Sequence, residues 1–209
     1  MSLIDMTVKE FTEKLGSNAP APGGGSASAL SGALGAALVS MVCNLTVGKP
    51  KYMEHEPFIK ETLARSDDLA SKLLDAIQRD TDAFDSVIAA FGMPKETDGQ
   101  KATRSEAIQK AYKNAIASPE ATAEYCLTVM KLAESLLGKS NINAVSDLAV
   151  GATLAHASLK GALANVNINL PSMKDAPYVA EKRSWAERME KEAAVLLQTV
   201  EKGVAELVR

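Results

Sequence analysis

Aromatic side chains make up 4% of this 209-residue chain, so its core has to be aliphatic, built from Ala, Leu, Val, Ile and Met. There are two histidines, His55 and His156, and they show no metal-ligand spacing, so no metal site is expected. The two cysteines, Cys43 and Cys126, both sit in apolar runs and read as reduced, buried thiols of a cytoplasmic protein. A net charge of −3 gives no general affinity for nucleic acid. Met1 to Glu10 lacks the apolar stretch of a secretory leader. Charge is missing altogether from Pro20 to Val47. A run of that length raises the question of a membrane span, but its large apolar residues are few and late, and Ala, Ser and Gly dominate. It is read as a buried helix of a soluble protein, without a membrane partner.

What is present is helical. Ala-rich, aromatic-poor composition favours closely packed helices over a sheet, and no strand alternation, fixed-period repeat or low-complexity linker interrupts the chain. The expected fold is all-α: a single domain over 1–209, a bundle of long helices with two small-residue-rich central ones. Thr7 and Glu10 have capping-box spacing for a short helix ending near Gly16. A second helix is expected from Gly24 to Val47, stopped by Gly48. A third starts after Pro57 and runs to Phe91, ended by Gly92 and Pro94. A fourth spans Gly99 to Ala117, and Ser118-Pro119-Glu120 reads as a restart, with Ser as N-cap and Pro at the first position of a fifth helix ending at Gly138. The sixth runs from Ala144 to Val166 and is rich in Gly and Ala. Asn165 to Asp175 reads as irregular, and the last helix begins near Pro177.

The third helix carries an oddity. Its apolar positions Leu73, Ile77, Phe84, Ile88 and Phe91 fall on one face. With Phe84 as origin, Asp80 lies about 40° away, inside that stripe, whereas Asp82 lies on the opposite side. A carboxylate on an apolar face needs a partner or a shifted pKa, which makes Asp80 either a paired structural anion or a functional one. Asp82 and Asp85 read as solvated surface. Asp147 sits near the start of the sixth helix, where the dipole alone justifies a carboxylate. Asn165 is on the same face but about 27 Å further along, so the two cannot meet in one monomer's small-molecule site.

The loop Pro20-Ala-Pro-Gly-Gly-Gly-Ser26 opens the uncharged helix. Its glycines allow close backbone approach, and the helix start points free N–H groups outward. It lacks the Gly-Lys-Ser/Thr ending of a phosphate loop. Asp80, Asp82 and Asp85 lack the glycine and terminal glutamate of a calcium loop. His156 falls opposite Asp147 and reads as a core or interface residue. No elbow motif supports a serine nucleophile.

Six pieces resemble, in family order, the cyclodeaminase/cyclohydrolase family of folate enzymes. They are Pro20 to Ser26, Asp80-Thr-Asp-Ala-Phe84, Met93-Pro-Lys95, Arg104 with Ala107-Ile-Gln109, Ser146-Asp147, and Asn165-Val-Asn-Ile-Asn-Leu170. Ser140-Asn141 stands where the family usually has Gly-Asn. The family includes the C-terminal half of formiminotransferase-cyclodeaminase and stand-alone methenyltetrahydrofolate cyclohydrolases.

The resemblance implies a helical homodimer or higher assembly, with a folate site built partly at a subunit interface. A tetrahydrofolate derivative would be the substrate, with no tightly bound cofactor and no metal. One of two reactions is implied: addition of water to the cationic carbon of 5,10-methenyltetrahydrofolate, or closure of N10 onto the formimino carbon with loss of ammonia. The absence of a formiminotransferase domain from this sequence leans toward the first.

Within that frame Asp80 is the candidate cation stabiliser or general base. Asp147 is a general acid or pterin anchor, and Lys95 a tail-binding or proton-assisting cation, or simply a helix-end charge. Pro22, Gly23, Gly24, Gly25, Ser26 and Asn165 are candidate substrate contacts. The reading from another class, a non-catalytic helical scaffold or ligand-binding oligomer, requires that the inward polar residues pair only with one another and leave no pocket.

Overall fold

The first helix forms where its cap predicts. Thr7 Oγ1 accepts from the Glu10 N–H, and the Glu10 carboxylate accepts from the Thr7 N–H at 2.8 Å. In the computed structural model, which describes residues 2–209, the α-helices are α1 Val8–Leu15, α2 Gly24–Asn44, α3 Glu56–Phe91, α4 Asp98–Ser135, α5 Val145–Asn169 and α6 Ala176–Leu207. There is no strand among the described residues.

Two of the boundaries that differ from the sequence expectation matter below. The restart at Ser118 does not occur: α4 begins from a Thr97/Gln100 capping box and runs unbroken through Pro119. Ile116, Pro119 and Ala123 are all buried, so packing on this stretch outweighs the intrinsic cost of a proline in a helix interior. At the other boundary, α5 does not end at Val166 but continues to Asn169. Asn165 and Asn169 are therefore helical, one turn apart on one face, rather than irregular. The second helix is also three residues shorter than expected, ending at Asn44.

The uncharged α2 lies at the centre, antiparallel to α5. Its N-terminal Gly24 is beside Asn165, Gly35 beside Gly151, and Leu45 beside Asn141. At the middle crossing the backbones nearly touch. A Cβ on Gly35 would stand 2.7 Å from the Gly151 carbonyl oxygen, so neither glycine admits a side chain without separating the pair. Serines bridge these short separations: Ser66 Oγ donates to the Ala36 carbonyl and Ser31 Oγ to the Leu154 carbonyl. Ser158 Oγ donates to the Ser28 carbonyl while accepting from Cys126 Sγ.

The outer helices complete the bundle. α3 flanks α2 and α4 flanks α5, while α6 covers α4 and α5. Both cysteines are buried and unpaired, and burial pushes their thiols up to about 12. α2 is long and apolar enough to cross a membrane by length and composition, and 61% of its most apolar window is buried inside the bundle.

Candidate active site

The apolar stripe of α3 divides along its length. Leu73 and Ile77 enter the core, but Phe84, Ile88 and Phe91 are 40–56% exposed and do not bury against another helix. They form one wall of a cleft of about 380 Å³, a size typical of small-molecule sites. Its far side is built from the C-terminal end of α5, Asn165 to Asn169, and from Tyr112 and Ala115 of α4. Its floor is the start of α2, Gly23 to Gly25, with Asp80 against it. A cleft of this kind is what the scaffold reading excluded.

Asp80 is half-buried at the N-terminus of α2. Ser26 offers it both a backbone N–H and its hydroxyl, the latter at 3.2 Å. These bonds favour the carboxylate, as does the positive end of the helix dipole. Burial is the larger influence, and the pKa of Asp80 sits above the ordinary aspartate value. The contact is close enough that a Cβ on Gly25 would overlap the carboxylate group, which explains glycine at that position.

The other predicted residues separate into four groups. Gly23, Gly24, Gly25 and Asn165 line the cleft with Asp80. Pro22 and Ser26 do not: Pro22 is buried beneath the loop, and the Ser26 hydroxyl turns inward to Asp80 and the Ile77 carbonyl. Lys95 lies in an adjoining basin that shares Phe91 and Tyr112 with the cleft and gathers Lys101, Arg104 and Lys174. Asp147 belongs to neither; it sits half-buried in the first turn of α5, at the opposite end of that helix from Asn165. His156 is half-buried near Lys160, Glu190 and Glu201, and burial holds its pKa below the usual histidine value. Among the described residues no group of three or more His, Cys, Asp or Glu is placed to hold a metal ion.

Sequence reasoning missed Tyr112, Ala115, Asn169 and Lys174. Tyr112 and Ala115 belong to the fourth expected helix, for which the sequence marks no functional face, and Asn169 to a segment read as irregular. Lys174 reaches the basin because Gln109 clips its loop to α4: Gln109 Nε2 donates to the Ser172 carbonyl, and its Oε1 accepts from the Lys174 N–H. No local pattern announces that long-range clip. Arg104 donates to the Phe91 carbonyl from two nitrogens and lies over the Phe91 ring, bracing the end of α3.

Comparison with known proteins gives one consistent answer. The family model described as formiminotransferase-cyclodeaminase matches residues 7–188. The chain is 43% identical, over 93% of both sequences, to a methenyltetrahydrofolate cyclohydrolase of Methylorubrum extorquens. It is 38% identical to a formimidoyltransferase-cyclodeaminase of Dictyostelium discoideum, spanning 36% of that longer protein. In structure it resembles formiminotetrahydrofolate cyclodeaminase of Thermotoga maritima, with a TM-score of 0.87 and 28% identity over 98% of each chain. A helical fold matched over its whole length and a family model matched over most of the sequence agree that this chain belongs to the formiminotransferase-cyclodeaminase family.

Proposed function

We propose that the protein is a folate one-carbon enzyme, a 5,10-methenyltetrahydrofolate cyclohydrolase giving 10-formyltetrahydrofolate. The observation that carries the reading is Asp80: a half-buried carboxylate on the floor of an apolar-walled cleft, held by the start of α2. The methenyl carbon between N5 and N10 is cationic. A fixed anion in a site of reduced dielectric stabilises that cation on binding and takes the proton released when water adds. Addition gives a tetrahedral carbon bonded to N5, N10 and oxygen. The bond to N5 then breaks as N5 takes a proton, leaving the formyl group on N10 and releasing one proton overall.

The shape of the site supports a matching orientation. The bicyclic pterin fits the cleft among Phe84, Ile88, Asn165 and Asp80, and the benzoyl ring crosses Phe91 and Tyr112. The glutamate tail enters the basic basin, where Lys95 is a tail-binding cation rather than a proton donor. The glycines Gly23 to Gly25 admit the ring by close backbone approach. A tetrahydrofolate derivative is the substrate, with no tightly bound cofactor. Asp147, at the other end of α5, enters the chemistry only where a second copy carries it to the cleft of the first.

Self-association is part of this reading: Met41 of α2, Leu45 just past its end and Leu74 of α3 stay exposed and line one shallow groove whose only charged member is Asp67, a surface suited to a second copy. We read α2 as a core helix, and the setting as cytoplasmic.

The second reading, formiminotetrahydrofolate cyclodeaminase, is favoured by the similarity in structure to the Thermotoga maritima enzyme. It uses the same carbon and the same anion. Loss of methenyl absorbance above the spontaneous rate supports the hydrolase, and ammonia release from 5-formiminotetrahydrofolate supports the deaminase. Neither activity in a folded sample would overturn both.

A further inference from the structure

Pro119 sits inside α4 and has no N–H to give the carbonyl of Ala115, four residues earlier. Ala115 lines the cleft. Its carbonyl is instead met by Asn169 Nδ2 of α5, at 3.4 Å, and the same nitrogen donates to the Asn165 carbonyl at 2.9 Å. Both partners are backbone carbonyls and accept only, so the amide of Asn169 has one permitted orientation: nitrogen toward the carbonyls, oxygen away. Asn169 itself lines the cleft. No buried side-chain oxygen or nitrogen among the described residues lacks a hydrogen-bond partner, so Asn169 Oδ1, to which no protein group donates, is accessible rather than sealed in. One turn earlier Asn165 Nδ2 donates to the Gly161 carbonyl at 2.8 Å and lies against Gly24 at the cleft floor. The cleft therefore presents at least two acceptors, the Asn169 amide oxygen and the Asp80 carboxylate.

We infer that Asn169 is a substrate-positioning residue whose amide oxygen accepts an N–H of the pterin ring while its amide nitrogen is held by the Asn165 and Ala115 carbonyls. The inference rests on the folate reading. A reduced pterin offers N–H donors at the exocyclic amine, N3 and N8, and an acceptor array matches that edge. An amide free to flip would present donors half the time and lose the match.

The test is affinity for 5-formyltetrahydrofolate, a stable N5-substituted analogue, measured by calorimetry, with Tm recorded for each variant. Asn169→Ala is expected to weaken binding about tenfold with Tm retained. Asn167→Ala, the same change at an exposed position of the same helix, is expected to leave affinity unchanged. Unchanged affinity in folded Asn169→Ala, or an equal loss in both variants, overturns the inference. Wild-type protein that does not bind the analogue overturns the folate reading, and this inference with it. If Asn169→Ala does not fold, Asn169→Ser serves in its place.

Discussion

At the end of the α2–α5 pair away from the cleft, Asn141 donates its side-chain amide to the Leu45 carbonyl and its backbone N–H to Thr46 Oγ1. Its own Oδ1 accepts from the Asn143 N–H, and Ser140 Oγ donates to the Leu136 carbonyl. Thr46, Ser140 and Asn141 are all buried. At the cleft end polar groups of the same kinds, Asn165 and Asn169 of α5 with Asp80 of α3, keep acceptor oxygens accessible. What differs is whether the polar groups satisfy one another. The closed end has the features of stability; the open end holds a carboxylate whose pKa is raised by burial, a cost that a purely structural site has no reason to keep.

The strongest way to break this comparison is Asp80→Asn. It is expected to lower turnover at least 100-fold, about 2.7 kcal/mol in the barrier, while Tm is unchanged or higher. The sign of the stability effect follows from linkage. Asp80 titrates above its unfolded value of 3.8 because burial disfavours the charged form. As pH rises from the unfolded value to the folded one, the folded state holds its proton longer than the unfolded chain. Stability therefore falls across that window, and the ionised group stands as a net cost at neutral pH. Removing the charge relieves that cost. The acid limb of kcat/KM in the wild type is expected above the ordinary aspartate value and should not be governed by this group in the variant. Full activity in Asp80→Asn would show that the open end is not a catalytic site.

At the closed end the expected signs reverse. Asn141→Ala removes the donor to the Leu45 carbonyl and the acceptor for Asn143, at a cost of about 1–3 kcal/mol. Thermal denaturation should show Tm lower by several degrees, and kcat/KM of the folded fraction should not change. A loss of activity without a loss of stability would join the two ends functionally and defeat the contrast drawn above.

Much of this architecture is legible in the residues. The Thr7/Glu10 spacing places α1, and helical-wheel arithmetic puts Asp80 on the inward face of α3 and separates Asp147 from Asn165 along α5. The family resemblance is carried by residues that the structure spreads between the two ends and the basin. Arg104 and Gln109 brace α3 and the Ser172–Lys174 loop, and neither duty shows in a motif. The errors share one cause. Ser118-Pro119 has the local chemistry of a helix start, and Asn167 to Asn169 that of a helix end, but burial of Ile116, Pro119 and Val166 continues both helices through them. Local propensity is outweighed wherever a neighbouring helix supplies the packing. The acceptor array around Asn169 depends on both continuations, so it could not be read before the helices were placed together.

The smallest expected effect concerns how far the open end extends. In the basic basin Lys101 pairs with Asp98, Lys174 donates to Ser105 and Arg104 is occupied by the Phe91 carbonyl. Lys95 is exposed and enters none of the ion pairs found among the described residues. A solvated ammonium of this kind attracts a glutamate tail weakly, and salt screens it. Lys95→Ala is therefore expected to raise KM about threefold to fivefold at low ionic strength, with kcat unchanged and the difference largely gone at high salt. The effect should grow with the number of glutamates on the substrate, because each added carboxylate extends further along the basin. A fall in kcat with KM unchanged would instead move Lys95 to the reacting carbon, making the basin and the cleft one catalytic site rather than a reaction centre with a separate tail-binding surface.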